Sequence, residues 1–133
     1  MTALKNPKAI LLWVMTFAYM AFIFYLSSRP ALEAARRFPI IYQLKLVHML
    51  EYGILSALLF FSARESGVKN VYEAAAFAIV AALLYGTIDE FHQIFVPGRT
   101  AKLMDIVANG IGAAVVQAGA TRSYISNNLS LKP

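Results

Sequence analysis

Four long apolar stretches, separated by short polar segments, dominate the pattern of this chain. They run from Ala9 to Leu26, Leu44 to Ser62, Val71 to Ile94 and Met104 to Gly119. The first carries no charged residue over about eighteen positions, enough for an α-helix to cross a hydrocarbon core of about 30 Å. The pattern therefore predicts an all-α membrane protein, a bundle of four transmembrane helices with short loops.

The same pattern predicts a single transmembrane domain over residues 1–122 and a polar C-terminal tail over residues 123–133. One of the loops contains the turn-forming pair Pro97 and Gly98. The first helix is expected to be retained, because its apolar run is longer than that of a signal peptide and no clear cleavage site follows it.

Composition supports a membrane setting. Of the 133 residues, 59% are hydrophobic and 14% charged, whereas soluble domains average about 45–50% apolar residues. The predicted partner is therefore the lipid bilayer. The net charge of +5 comes without a long basic block or basic–aromatic stripe, which favours anionic lipid headgroups over nucleic acid. Since the chain has no cysteine, disulfides, thiolate metal sites and cysteine nucleophiles are excluded.

The run DEFHQIFVPGR, from Asp89 to Arg99, concentrates polar side chains at the end of the third stretch. Hydrocarbon penalises an unpartnered ionisable group, so such residues at a helix edge predict a functional site. If four helices alternate, the start of the second, the end of the third and the start of the fourth emerge on one face. That face then holds Lys45, His48, Asp89, Glu90, His92, Gln93, Arg99, Asp105 and Asn109.

Helical spacing places polar residues on one stripe of each of these helices. The stripes are Lys45, His48 and Tyr52 on the second helix, Asp89 and Gln93 on the third, and Asp105, Asn109 and Gly112 on the fourth. A glycine such as Gly112 allows a neighbouring helix to approach closely. We expect the three stripes to face one another inside the bundle.

Two structural readings compete with a functional one. Interhelical salt bridges among Asp89, Glu90, Arg99 and Asp105 would simply lock the bundle, and Lys45 would extend its ammonium group to the interface. The guanidinium of Arg99 suits bidentate contact with a carboxylate or phosphate, and Asp105 is a candidate partner.

His48 and His92 are candidate metal ligands or proton carriers, since imidazole and carboxylate donors suit zinc or manganese. However, no H-x-x-x-H pair or other ligand spacing accompanies them. The sequence therefore predicts no metal site and no cofactor.

Three blocks carry a family resemblance: KLVHMLEYGIL, YGTIDEFHQIFVPGRT and DIVANGIGA. In this order, and with the Ser28-Arg29-Pro30 turn after the first helix, they resemble the VanZ-like family of small bacterial membrane proteins. The family's signature positions correspond to Lys45, His48, Tyr52, Asp89, Glu90, Gln93, Arg99, Asp105, Asn109 and Gly112, while His92 falls at a variable position. The resemblance implies a cell-envelope protein that contributes to resistance against teicoplanin and related lipoglycopeptides.

Two functions remain open. In the first, the cluster binds an anionic lipid headgroup or cell-wall precursor through Lys45, His48, Tyr52, Asp89, Glu90, Gln93, Arg99, Asp105 and Asn109. In the second, a membrane hydrolase or transferase acts on a lipid-linked or peptidoglycan substrate, with Asp89 or Glu90 as general acid or base and His48 as proton carrier. The absence of a nucleophile motif favours binding. A homo-oligomer is compatible with either function.

Orientation is predicted from the cations on the two faces. Lys5, Lys8, Arg64, Lys69, Arg122 and Lys132 lie on the face with the termini, and Arg29, Arg36, Arg37, Lys45, Arg99 and Lys102 lie opposite. The counts tie at six each, and setting aside Lys45 and Arg99 as site residues favours cytoplasmic termini. We expect a multi-pass protein of the bacterial cytoplasmic membrane with its polar cluster on the outer face.

Overall fold

The computed structural model describes residues 6–30, 36 and 45–130, and side chains as far as residue 127. It contains four helices: α1 (Pro7–Ser27), α2 (Lys45–Glu65), α3 (Val71–Gln93) and α4 (Leu103–Ser130). No strand occurs within these ranges. The predicted all-α fold with four helices is confirmed.

Local signals account for several helix ends. The side chains of Asn6 and Asn70 accept hydrogen bonds from the backbone N–H groups of Lys8 (3.0 Å) and Tyr72 (2.9 Å), which caps α1 and α3. Between α3 and α4, Gly98 has φ +75°, a conformation that glycine adopts without steric cost. The Pro97-Gly98 turn therefore forms as predicted.

Helix α2 is the centre of the bundle and packs on each of the other three helices. It approaches α4 closely at Gly112, where an added Cβ atom would clash with the backbone of Met49. Small residues permit such close helix contacts in membranes. Polar side chains also form hydrogen bonds between helices in the interior. The hydroxyl oxygens of Thr16 and Ser62 lie 3.0 Å apart, and Gln117 Nε2 donates to the Ser56 carbonyl oxygen at 2.8 Å.

The outward faces of the helices are apolar. Leu11, Phe17, Leu84 and Val115 are among many large hydrophobic side chains that the bundle leaves exposed. All four helices are long and apolar enough to span a membrane, and a helix of about 20 residues reaches about 30 Å. The chain is therefore a multi-pass membrane protein whose exposed apolar faces suit contact with lipid.

Three helices extend beyond their predicted ends. Helix α1 runs from Pro7 to Ser27 instead of from Ala9 to Leu26. Helix α2 continues past Ser62 to Glu65, and α4 does not end at Gly119 but continues to Ser130. The expected polar tail is thus helical over most of its length, because no proline interrupts it and Arg64 of α2 contacts Tyr124. The Arg64 guanidinium donates a hydrogen bond to the Tyr124 hydroxyl and also lies over the Tyr124 ring. Lys5, Arg37, Lys132 and most of the segment between the first and second predicted helices lie outside the described residues.

Candidate polar site at one end of the bundle

The polar stripes meet at one end of the bundle. Lys45, at the start of α2, forms an ion pair with Asp105 in the first turn of α4. The end of α3 joins them through Glu90, which accepts a hydrogen bond from the Lys102 backbone N–H, just before α4, at 3.1 Å. We call the group formed by Lys45, His48, Tyr52, Asp89, Glu90, Gln93, Arg99, Asp105 and Asn109 the polar cluster.

Two adjacent carboxylates of α3 are buried and held by one amide. Gln93 Nε2 donates to Asp89 Oδ2 at 3.1 Å and to Glu90 Oε1 at 3.2 Å. The second oxygen of Asp89 accepts a 2.5 Å hydrogen bond from the hydroxyl of Ser27 on α1. Each carboxylate therefore has both oxygens engaged, which fixes its orientation.

His48 lies beside the ion pair without completing a hydrogen bond to it. Its Nε2 is 4.0 Å from Asp105 Oδ2, too long for a hydrogen bond. The Lys45 side chain is 46% exposed, while that of Asp105 is 11% exposed. The ion pair therefore joins an exposed lysine to a largely buried carboxylate.

Deeper in the cluster, Tyr52 and Asn109 pack against Gly86 of α3. A Cβ atom on Gly86 would lie 2.7 Å from Asn109 Nδ2 and 2.9 Å from Tyr52 Cε1, so only glycine leaves room for both. Within the described part of the chain, the Tyr52 hydroxyl and both polar side-chain atoms of Asn109 are buried without a hydrogen-bond partner. Such groups cost free energy unless something satisfies them.

Arg99, in the loop between α3 and α4, contacts the backbone at the end of α1. Its Nε and Nη2 donate to the carbonyl oxygens of Arg29 (3.1 Å) and Leu26 (3.2 Å), and its Nη1 donates to Gln93 Oε1 (3.4 Å). The candidate partner Asp105 is instead the ion-pair partner of Lys45. Arg99 thereby ties the segment after α3 to the backbone at the end of α1.

The sequence of this chain matches a known protein family. The model of the VanZ/LLP1 family matches residues 9–121, which include the whole polar cluster. The chain belongs to the VanZ/LLP1 family. No curated protein and no solved structure matches it.

In this VanZ/LLP1 protein the charges of the polar cluster and of the neighbouring Lys102 are layered. Lys45 and Lys102 are exposed and Arg99 is half-buried, whereas Asp89, Glu90 and Asp105 are buried. The cluster therefore has a cationic rim and an acidic floor.

Sequence reasoning missed two members of the site. Ser27 holds Asp89, and counting crossings would have placed the end of α1 on this face. Glu51 of α2 is near enough to Asp89 and Arg99 for its charge to interact with theirs. Its position three residues after His48, on the same side of the helix, is the sequence signal that could have identified it. His92, by contrast, contacts α1, with its Nε2 3.1 Å from Ser28 Oγ and its ring 4.4 Å from that of Phe24.

The VanZ/LLP1 cluster also contains a group of residues with metal-binding chemistry. His48, Glu90 and Asp105 each offer one ligand atom, and these atoms lie within 4.8 Å of one another. Ligand spacing along the chain could not reveal this group, since each residue comes from a different helix.

Proposed function

We propose that this VanZ/LLP1 membrane protein binds an anionic lipid headgroup or a cell-wall precursor with its polar cluster. Binding there would alter how envelope material is displayed and thereby contribute to resistance against teicoplanin and related lipoglycopeptides. The lipoglycopeptide setting comes from the family resemblance, and the binding chemistry comes from the cluster.

One observation carries the proposal: buried polar atoms without partners lie beneath an exposed cation. Tyr52 and Asn109 are each 1% exposed, and in the described structure the Tyr52 hydroxyl and the Asn109 carboxamide lack hydrogen bonds. A purely structural network would be expected to satisfy its own members. Hydroxyl, amide or amine groups of a ligand would supply the missing partners.

The layering of charge supports an anionic ligand in a defined orientation. Lys45, Arg99 and Lys102 at the rim suit a phosphate or carboxylate. The floor formed by Asp89, Glu90 and Asp105 suits the hydroxyl or amine groups of the same headgroup. A simple anion gains nothing from the floor, so the proposal favours a headgroup that carries both kinds of group.

We further propose that the polar cluster faces the outside of the bacterial cytoplasmic membrane, with both termini cytoplasmic. Among the described residues, the cations on the face of the termini are Lys8, Arg64, Lys69 and Arg122. Excess positive charge marks cytoplasmic loops, and setting aside Lys45 and Arg99 as ligand-binding residues leaves three described cations on the opposite face, Arg29, Arg36 and Lys102, against these four. An outward-facing cluster also has access to precursors that lipoglycopeptides bind.

The alternative is a membrane enzyme acting on a lipid-linked or peptidoglycan substrate. Its support is the proximity of His48 to the carboxylates of Glu90 and Asp105, which suits acid–base catalysis. Incubation of the purified protein with isoprenoid-linked phosphates and peptidoglycan precursors separates the two functions. Product formation beyond one equivalent per chain would favour the enzyme, and stoichiometric binding without product favours the binding protein.

The biological test uses Glu90→Gln and Arg99→Lys in cells whose teicoplanin resistance depends on this protein. Matched controls are Glu73→Gln and Arg122→Lys, which make the same changes on exposed positions at the opposite end of the bundle. We expect resistance to fall in the first pair and to persist in the second. Unchanged resistance in folded Glu90→Gln and Arg99→Lys proteins would contradict the proposed role.

A further inference from the structure

Three ligand-bearing side chains from three helices converge inside the polar cluster. His48 comes from α2, Glu90 from α3 and Asp105 from α4, and one ligand atom of each lies within 4.8 Å of the others. Glu90 and Asp105 are buried. One imidazole and two carboxylates form a donor set that suits Mn²⁺ or Zn²⁺.

The spacing of His48 and Asp105 fits two ligands of a shared ion better than a hydrogen bond. His48 Nε2 and Asp105 Oδ2 are 4.0 Å apart. Two metal–ligand bonds of about 2.0–2.2 Å place their ligand atoms roughly 3–4 Å apart. An ion would therefore need only a small inward movement of the three side chains.

The surrounding side chains provide a second, independent indication of a ligand. Asn109 lies beside the His48 ring. In the described ranges, however, His48 Nδ1 and both polar side-chain atoms of Asn109 are buried and have no hydrogen-bond partner. The Tyr52 hydroxyl is also buried without a partner in the described ranges, and the Tyr52 ring packs beside Asn109 at Gly86. Metal sites use such neighbours to orient imidazole and carboxylate ligands and to hold bound water.

Lys45 occupies the position of a competing cation. Its ammonium group pairs with Asp105 Oδ1, the oxygen next to the one that faces His48. Because its side chain is 46% exposed, Lys45 can move toward the membrane surface. Glu90, meanwhile, is already oriented by Gln93 and by the Lys102 backbone N–H.

We propose that His48, Glu90 and Asp105 form a divalent cation site for Mn²⁺ or Zn²⁺. The ion replaces the Lys45 ammonium group as the partner of Asp105. This inference does not depend on the headgroup proposal, since the ion binds to residues of the chain alone.

The test is a titration of the purified full chain in detergent with Mn²⁺ alone. The electron paramagnetic resonance signal of free Mn²⁺ measures how much of the ion is bound. We expect one saturable site per chain. His48→Gln and Glu90→Gln should weaken the affinity more than about tenfold, while His92→Gln and Glu73→Gln should retain it. Lys45→Met should strengthen the affinity, because it removes the competing cation.

No saturable binding by the wild-type protein would overturn the inference, as would equal affinities for Glu90→Gln and Glu73→Gln. Weaker binding by Lys45→Met would also contradict it. If Glu90→Gln does not fold, Asp105→Asn serves the same test. The headgroup proposal fails separately, in experiments with lipid and without added metal.

Discussion

Ser27, in the last turn of α1, donates a 2.5 Å hydrogen bond to Asp89, one turn from the end of α3. Both residues are buried. This bond ties the most lipid-exposed helix, which otherwise packs mainly on α2, to the carboxylates of the polar cluster. The first helix is therefore part of the site.

Ser27→Ala should destabilise the protein by about 1–3 kcal/mol, because a buried carboxylate oxygen loses its donor. Thermal or denaturant unfolding in detergent measures the change. Ser28→Ala is the matched control: Ser28 is less buried, and its hydroxyl contacts the Phe24 carbonyl and His92. An equal loss of unfolding free energy in both variants would show that the Ser27–Asp89 hydrogen bond stabilises the protein no more than the contacts of Ser28 do.

Tyr52→Phe should leave the free energy of unfolding within about 1 kcal/mol of wild type, or raise it, because the hydroxyl it removes is buried without a partner in the described structure. The proposed function predicts that teicoplanin resistance nevertheless falls. This combination separates a ligand-binding hydroxyl from a structural one. A large loss of stability would indicate that the hydroxyl supports the fold.

Gly112→Ala should destabilise the bundle by about 1–3 kcal/mol, because the added methyl group clashes with the Met49 backbone and forces α2 and α4 apart. Gly119→Ala is the control on the same helix. Nothing lies within 4 Å of a Cβ atom there, so it should be neutral or stabilise by up to about 1 kcal/mol. Unfolding in detergent distinguishes the two, and an opposite order would contradict the close packing.

Much of this architecture could be predicted from hydrophobic pattern and crossing count. Alternation of four spans was enough to bring Lys45, Glu90 and Asp105 to one end, because the direction of each helix is fixed by its neighbours. The Pro97-Gly98 turn was predictable from its residues alone. Whether the polar cluster acts as a binding site stays a prediction.

The rest depended on contacts that leave little trace in sequence. Counting crossings places the end of α1 on the cluster face, but it does not single out Ser27, because a serine at a helix end is ordinary until its partner Asp89 is known. The attachment of Arg99 to the carbonyl groups of α1 depends on how two helices pack. The continuation of α4 beyond Gly119 depends on the contact between Arg64 and Tyr124, which polarity alone cannot predict.

The central claim is that the polar cluster binds an anionic headgroup, and the most direct measurement is the shift in unfolding temperature when an isoprenoid-linked cell-wall precursor is added to the purified protein. A ligand that binds only the folded state stabilises it by about 2.7 kcal/mol at 100 times its dissociation constant. We predict a saturable upward shift in the wild type, Glu73→Gln and Arg122→Lys, and a much smaller one in Glu90→Gln and Arg99→Lys. No shift in the wild type, or equal shifts in all variants, would contradict the account.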